Sequence, residues 1–183
     1  MAARVPYVDR EDVAPEYRHI YDNLIAERGL PVRNLFRALS NTPPILEKHL
    51  ALSSQLRFKT KLDGQLRELA ILAVGAVTGA EYEYTAHWHI GTRLGIPREK
   101  LEQVLNYETA PIFTEAERAV IRYACEVTRN VKVSDATVDA VRRHLPLWEF
   151  MELAHIVAFY NMVVRLLEPL GVELDPDTPR VKS

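Results

Sequence analysis

Apolar residues return every three to four positions in segment after segment of this chain, and between turn signals they show no strong period-two alternation with polar ones. A helix gathers residues at that spacing onto one face, whereas a half-buried strand needs the period of two. The chain therefore reads as all-α. At 183 residues, 48% hydrophobic and 26% charged, it is long enough to bury a real core, and no linker or low-complexity tract divides it. The reading is one helical domain over residues 1–183, with a polar, proline-rich tail from about Glu173 that frays.

Proline and glycine punctuate the helices. The first opens at Pro15 and stops at Gly29, and a short second one covers about Val32 to Leu39. A third runs from the Asn41-Thr42-Pro43-Pro44 cluster to about Lys59. Asp63 caps a fourth, Gly64 to Thr78, and after Gly79 a fifth runs from Glu81 to near Gly95. A short helix from about Pro97 to Leu105 comes next. Thr114 with Glu117 three places on forms a capping box for another helix, and Ser134 heads one more. The last, about Leu147 to Leu167, is so apolar that it needs cover on most sides and belongs at the centre or at a contact.

Charge and cysteine content exclude several functions. Lys and Arg total 23 against 25 Asp and Glu, a formal charge of -2 with no basic stripe, so nucleic acid is not an expected partner. The single cysteine, Cys125, allows no internal disulfide and lies on an apolar helix face as a packed thiol. The first residues lack the apolar run of a signal peptide, and no window reaches the ~18 apolar residues of a membrane span. The expectation is a cytoplasmic protein without a membrane partner.

Motif chemistry narrows the field further. The seven glycines are scattered and form no phosphate loop or dinucleotide turn, and no Gly-x-Ser-x-Gly elbow occurs. Glu152 with His155, and Glu16 with His19, have the Glu-x-x-His spacing of di-iron bundles. Such a site wants two pairs on long inward-facing helices and two further Glu, and Glu16 sits in a short, highly charged helix. His155 reads instead as a hydrogen-bonded core histidine. His87 and His89, two apart on a helix, point away from each other. Neither a metal nor another cofactor is expected.

The densest group of proton-transfer side chains is Glu81 to His89, Glu-Tyr-Glu-Tyr-Thr-Ala-His-Trp-His. In a helix Glu83 and His87 stand one turn apart on one face, where a carboxylate orients an imidazole and raises its basicity. The tight link at Gly79 makes the fourth and fifth helices antiparallel, which brings Glu68 alongside them. Three titratable groups in a partly apolar pocket can hold an acid and a base near neutral pH. The alternative is a hydrogen-bond network that only ties the two helices together.

Arg67-Glu68-Leu-Ala-Ile-Leu, then Thr78-Gly79-Ala80-Glu81-Tyr82-Glu83-Tyr84-Thr85-Ala86-His87, then Leu94-Gly95-Ile96-Pro97, resemble the carboxymuconolactone decarboxylase family, which includes the AhpD-like alkylhydroperoxidases. The resemblance runs from about Leu62 to Val104, and the last helix with Asn161, Arg165 and Leu170-Gly171-Val172 resembles the longer members. It implies an AhpD-like helical fold and a homo-oligomer, a trimer or hexamer. The peroxidase branch carries a Cys-x-x-Cys pair ahead of its histidine. Here those positions are Ala80 and Glu83, so thiol peroxidase activity by that route is not expected.

The decarboxylase branch works without metal or cofactor on an unsaturated lactone acid, in aromatic compound catabolism. That implies His87 as proton donor or shuttle, Glu83 orienting it and Glu68 as second acid/base or relay, with Tyr82, Tyr84 and Trp88 lining a pocket or binding substrate. Packing is the alternative role for the three aromatics. Arg67, Arg93 and Arg165 are candidate carboxylate anchors, although no cationic cluster stands out. Two functions are compatible with these residues: a cofactor-independent lyase or proton-transfer enzyme for a small unsaturated acid or lactone, or a non-catalytic binding or scaffold protein that kept the fold.

Overall fold

The computed structural model describes residues 3–181 and holds only helices and turns among them. A 3-10 turn at Pro15–Tyr17 leads into α1 (Arg18–Arg28), followed by α2 (Asn34–Leu39), α3 (Pro43–Phe58), α4 (Gly64–Thr78) and α5 (Glu81–Arg93). Then come α6 (Arg98–Glu102), a 3-10 turn at Val104–Asn106, α7 (Glu115–Asn130), α8 (Asp135–Arg142) and α9 (Leu147–Leu170).

The caps form as their residue types require. Asp63 accepts from the backbone N–H groups of Gln65 and Leu66, and Thr114 and Glu117 close a reciprocal capping box. Proline at position 15 starts a 3-10 turn before the α-helix begins. At the other end α9 runs through Pro169 to Leu170, past the expected stop near Leu167. A proline in the last turn removes only one backbone hydrogen bond, and the helix ends where Gly171 turns left-handed at φ 63°.

Helix α4 is the axis. Its run from Glu68 to Gly75 is buried, packed between α5, α7 and α9. Contrary to the expectation that no window is apolar enough for a membrane span, helix α9, alone among the described residues, is long and apolar enough by length and composition, with a mean hydropathy of 1.4 over its best window, 44% of which is buried. Leu153, Ile156, Val157, Val163 and Leu167 bury its inner face in the core, while Leu147, Trp148, Met151 and Met162 stay exposed. A second, smaller cluster of Ile20, Leu24, Phe36 and Leu46 joins α1, α2 and α3.

The tail is not frayed. Asp175 accepts from the Asn34 backbone N–H at 2.6 Å and from the Tyr82 hydroxyl at 2.7 Å, and Arg33 pairs with Asp177 at 2.5 Å. His89 Nε2 donates to the Pro179 carbonyl, and Arg180 pairs with Glu81 at 2.9 Å. The polar composition that suggested fraying supplies the groups that tie the segment across α2 and α5.

The two Glu-x-x-His pairs do other work. Glu152 accepts from the backbone N–H groups of Lys61 and Leu62 and from Trp148 Nε1, fastening the turn before α4. His155 is exposed and donates from Nδ1 to the Met151 carbonyl, so it is not the core histidine expected. His19 bonds the Glu16 carbonyl and the Glu47 carboxylate.

Candidate active site

Three glycines set the spacing of the helices that carry the acid and base groups. Gly79, left-handed at φ 68°, ends α4 and lets α5 start at Glu81. At Gly75 a Cβ would stand 3.0 Å from the Tyr84 backbone nitrogen and 3.1 Å from its Cα, so only glycine lets the two backbones approach this closely. At Gly91 a Cβ would come within 2.9 Å of Leu101. The close approach brings Glu68 across to His87.

The His87 ring lies between two carboxylates. Nδ1 donates to Glu68 Oε2 at 2.5 Å, and Nε2 lies 2.9 Å from Glu83 Oε1 in an ion pair one helical turn away. Arg67 Nε donates to the other Glu68 oxygen at 3.0 Å. Glu68 is completely buried, and Glu83 and His87 nearly so. Four formal charges, Arg67, Glu68, His87 and Glu83, sum to zero in this cluster, which is what makes their burial tolerable.

Burial alone would strip the proton from His87. The charges of Glu68 and then Glu83 outweigh it and raise the imidazole pKa to about 9. Burial likewise pushes the Glu68 carboxyl up, but His87 and then Arg67 overcome it and hold it below the ordinary carboxylate range. At neutral pH the site therefore contains an imidazolium between two carboxylates. Glu68 holds the ring through Nδ1, the orienting part assigned to Glu83 from sequence, and Glu83 stands at Nε2.

Glu83 and His87 open onto a cavity of about 380 Å³, walled by the end of α1, by α2 and α3, by α5 and α9, and by the tail from Asp175 to Pro179. Glu68 lies behind His87 rather than in the wall. Tyr160 of α9 sets its ring edge-on to His87, centroids 4.8 Å apart, and its phenol is held well above the ordinary range by burial and by the Glu83 and Glu68 charges. A neutral hydroxyl beside an imidazolium can donate a hydrogen bond to a developing oxyanion.

The expected aromatic wall is only partly present. Tyr82 lines the cavity, with its hydroxyl given to Asp175. Tyr84 turns away and donates to the Leu101 carbonyl at 3.2 Å. Trp88 is not in the wall; its ring meets His89 edge-on and its buried Nε1 has no hydrogen-bond partner among the described residues. A helix puts successive residues about 100° apart, so 82, 84 and 88 cannot all share the face of 83 and 87.

Of the candidate anchors, Arg67 is taken up by Glu68 and Arg165 bonds Asn161 on its own helix, whereas Arg93 reaches the cavity wall. Sequence reading missed Tyr160, Arg28, His49 and Arg57, which lie on α1, α3 and α9 far from the dense segment. The only signal for them was Tyr160 on the apolar last helix. Cys125 is buried in the core away from the cavity, and burial raises its thiol to about 11, which makes it a poor nucleophile.

This is an AhpD-like helical fold. A peroxidase-related protein from Ralstonia eutropha JMP134, described as an alkylhydroperoxidase AhpD core, superposes with a TM-score of 0.82 at 23% identity, covering 96% of this chain and 93% of that one. A peroxidase-related protein from Silicibacter sp. TM1040 gives 0.80 at 19% identity over 95% and 91%. A cysteine-to-alanine variant of the debrominase Bmp8, in complex with 2,3,4-tribromopyrrole, gives 0.82 at 19% over 96% and 94%. The model of the carboxymuconolactone decarboxylase family matches residues 43–126, a span containing Glu68, Glu83 and His87. No curated protein matches it.

Proposed function

We propose that the protein is a cofactor-independent proton-transfer enzyme, a lyase or decarboxylase, acting on a small unsaturated carboxylic acid or lactone. The observation that supports this most is the His87 imidazolium held between Glu68 and Glu83 at the wall of a cavity of about 380 Å³. A structural network would serve equally well buried on all sides; this one presents its acid to a space that fits a single ring or a short conjugated chain. A ring of that size, 2,3,4-tribromopyrrole, is the ligand in the complex of the similarly folded debrominase Bmp8 variant.

In this reading a carbon–carbon bond to a carboxylate breaks, carbon dioxide leaves, and the electron pair moves into a conjugated carbonyl. The resulting dienolate takes a proton at a different carbon from His87 Nε2, directly or through Glu83. Glu68 fixes the ring and steadies its charge through Nδ1, and the Tyr160 hydroxyl donates to the dienolate oxygen. Solvent at the cavity mouth then reprotonates His87. A pKa of about 9 keeps the acid loaded at neutral pH.

The test is loss of substrate absorbance over a panel of unsaturated lactone acids and β-keto acids, with and without a chelator, for wild type and His87→Ala. Turnover that survives the chelator and disappears in a folded His87→Ala variant is the expected result. No turnover on any substrate, or equal turnover by the variant, refutes acid catalysis at His87 and leaves a binding role.

A further inference from the structure

The end of the cavity formed by α1 and α3 carries more positive charge than its own residues neutralise. Arg28 is only 11% exposed at its side chain; its buried Nε makes no hydrogen bond and forms a 3.3 Å ion pair with the partly exposed Glu27, which leaves the Arg57 charge unanswered. Its Nη2 serves two neutral hydroxyls, donating to Ser53 at 3.1 Å and Ser54 at 3.3 Å. Arg57, one turn beyond Ser53 on α3, lines the same cavity with no carboxylate partner among the described residues. Both guanidinium groups stack on Phe58, each 5.3 Å from its centroid. An aromatic ring therefore holds them at one place, and of the two only Arg28 has an acid, Glu27, paired to it among the described residues.

Like charges held together in a half-buried space are unfavourable unless something answers them. Burial and then the Arg57 charge hold Arg28 below the ordinary guanidinium range, and both charges act on the Tyr160 phenol across the cavity. His49, packed on Phe159 with ring centroids 4.9 Å apart, is kept neutral by burial and by Arg28, while Glu83 pulls the other way. His49 therefore marks the boundary between the cationic end and the acid–base end. The other cavity arginine near the tail, Arg33, is already paired with Asp177.

We propose that Arg28 and Arg57 form an anion-recognition end of the cavity that binds a carboxylate of the substrate, and that this carboxylate is retained through the reaction. The assignment deepens the proton-transfer reading and rests on it for the chemistry at the other end of the cavity. Guanidinium groups stabilise a carboxylate in the ground state and oppose its loss as neutral carbon dioxide, so the carboxylate they hold is an anchor. The reacting carbon lies toward Glu83 and His87. A substrate that loses carbon dioxide here must then carry a second acid group, and one with a single carboxylate undergoes isomerisation instead.

Benzoate and its neutral isostere benzamide separate charge recognition from ring binding. Calorimetric titration at pH 7 should show benzoate binding to wild type at least tenfold more tightly than benzamide. Arg57→Gln should weaken benzoate at least tenfold and leave benzamide unchanged, with thermal unfolding as the check that the variant folds. Arg28→Lys, which keeps the charge but loses the planar fork, should weaken benzoate as well. Equal affinity for the two ligands, no benzoate binding, or benzoate affinity unaltered in Arg57→Gln would overturn the proposal whatever the turnover assays give. Charge-selective binding lost in Arg57→Gln, alongside no turnover on any acid, would uphold the anion site and sink the catalytic reading alone.

Discussion

Raising the pH from 7 to 8.5 should cost the folded state about 2 kcal/mol through His87 alone. In the unfolded chain a histidine titrates near 6.5; in the fold, burial opposes the charge but Glu68 and Glu83 outweigh it and lift the pKa to about 9. Between those values the folded chain keeps a proton that the unfolded chain has released. Stability therefore falls by about 1.4 kcal/mol per pH unit, being complete below 6.5 and lost by about 9. The window avoids His49, whose pKa is lowered, and stops short of the buried tyrosines, whose phenols are raised. Urea unfolding followed by circular dichroism at several pH values reads the slope, and the histidine ring resonances in a ¹⁵N-labelled sample read the protonation state directly. A flat or rising stability profile over this window, or a His87 ring that titrates near 6.5, would refute the imidazolium and with it the loaded acid.

Glu68→Gln removes the largest charge favouring the His87 proton, so the ring should titrate below its wild-type value of about 9 by the same resonance measurement; an unchanged value would mean that Glu83 alone sustains it. Gly75→Ala sets a Cβ 3.0 Å from the Tyr84 backbone nitrogen, which cannot move without shifting α5, and should cost roughly 1–3 kcal/mol in urea unfolding. Tyr82→Phe leaves the buried Asp175 Oδ2 without its donor and should cost roughly 1–3 kcal/mol, with faster amide exchange at Asn34 and through the tail. Cys125, with its thiol raised to about 11 from 9, holds roughly a hundredfold less thiolate than a free cysteine at neutral pH and should resist iodoacetamide until the protein is unfolded.

The part of the site legible in sequence is the part that lies within one helical hairpin. Glu83 and His87 are a turn apart on α5, and Gly79 fixes α4 as the antiparallel neighbour, so periodicity and one turn are enough to bring Glu68 to the same ring. Caps at Asp63 and Thr114 were readable for the same reason, since each is a contact across three residues. The cationic wall has no such local basis. Arg28 and Arg57 belong to helices that meet only after α1 and α3 pack, and an arginine at the end of α1 reads in sequence as an ordinary last-turn cation. The tail misled in the opposite direction, because its aspartates and prolines carry no hydrophobic period. Their partners, Asn34, Tyr82 and Arg33, are more than 90 residues away. Sequence resolves chemistry within a hairpin, and only the fold resolves which distant charges the same cavity collects. The first group would supply the proton, and the second would decide which acids can come near it.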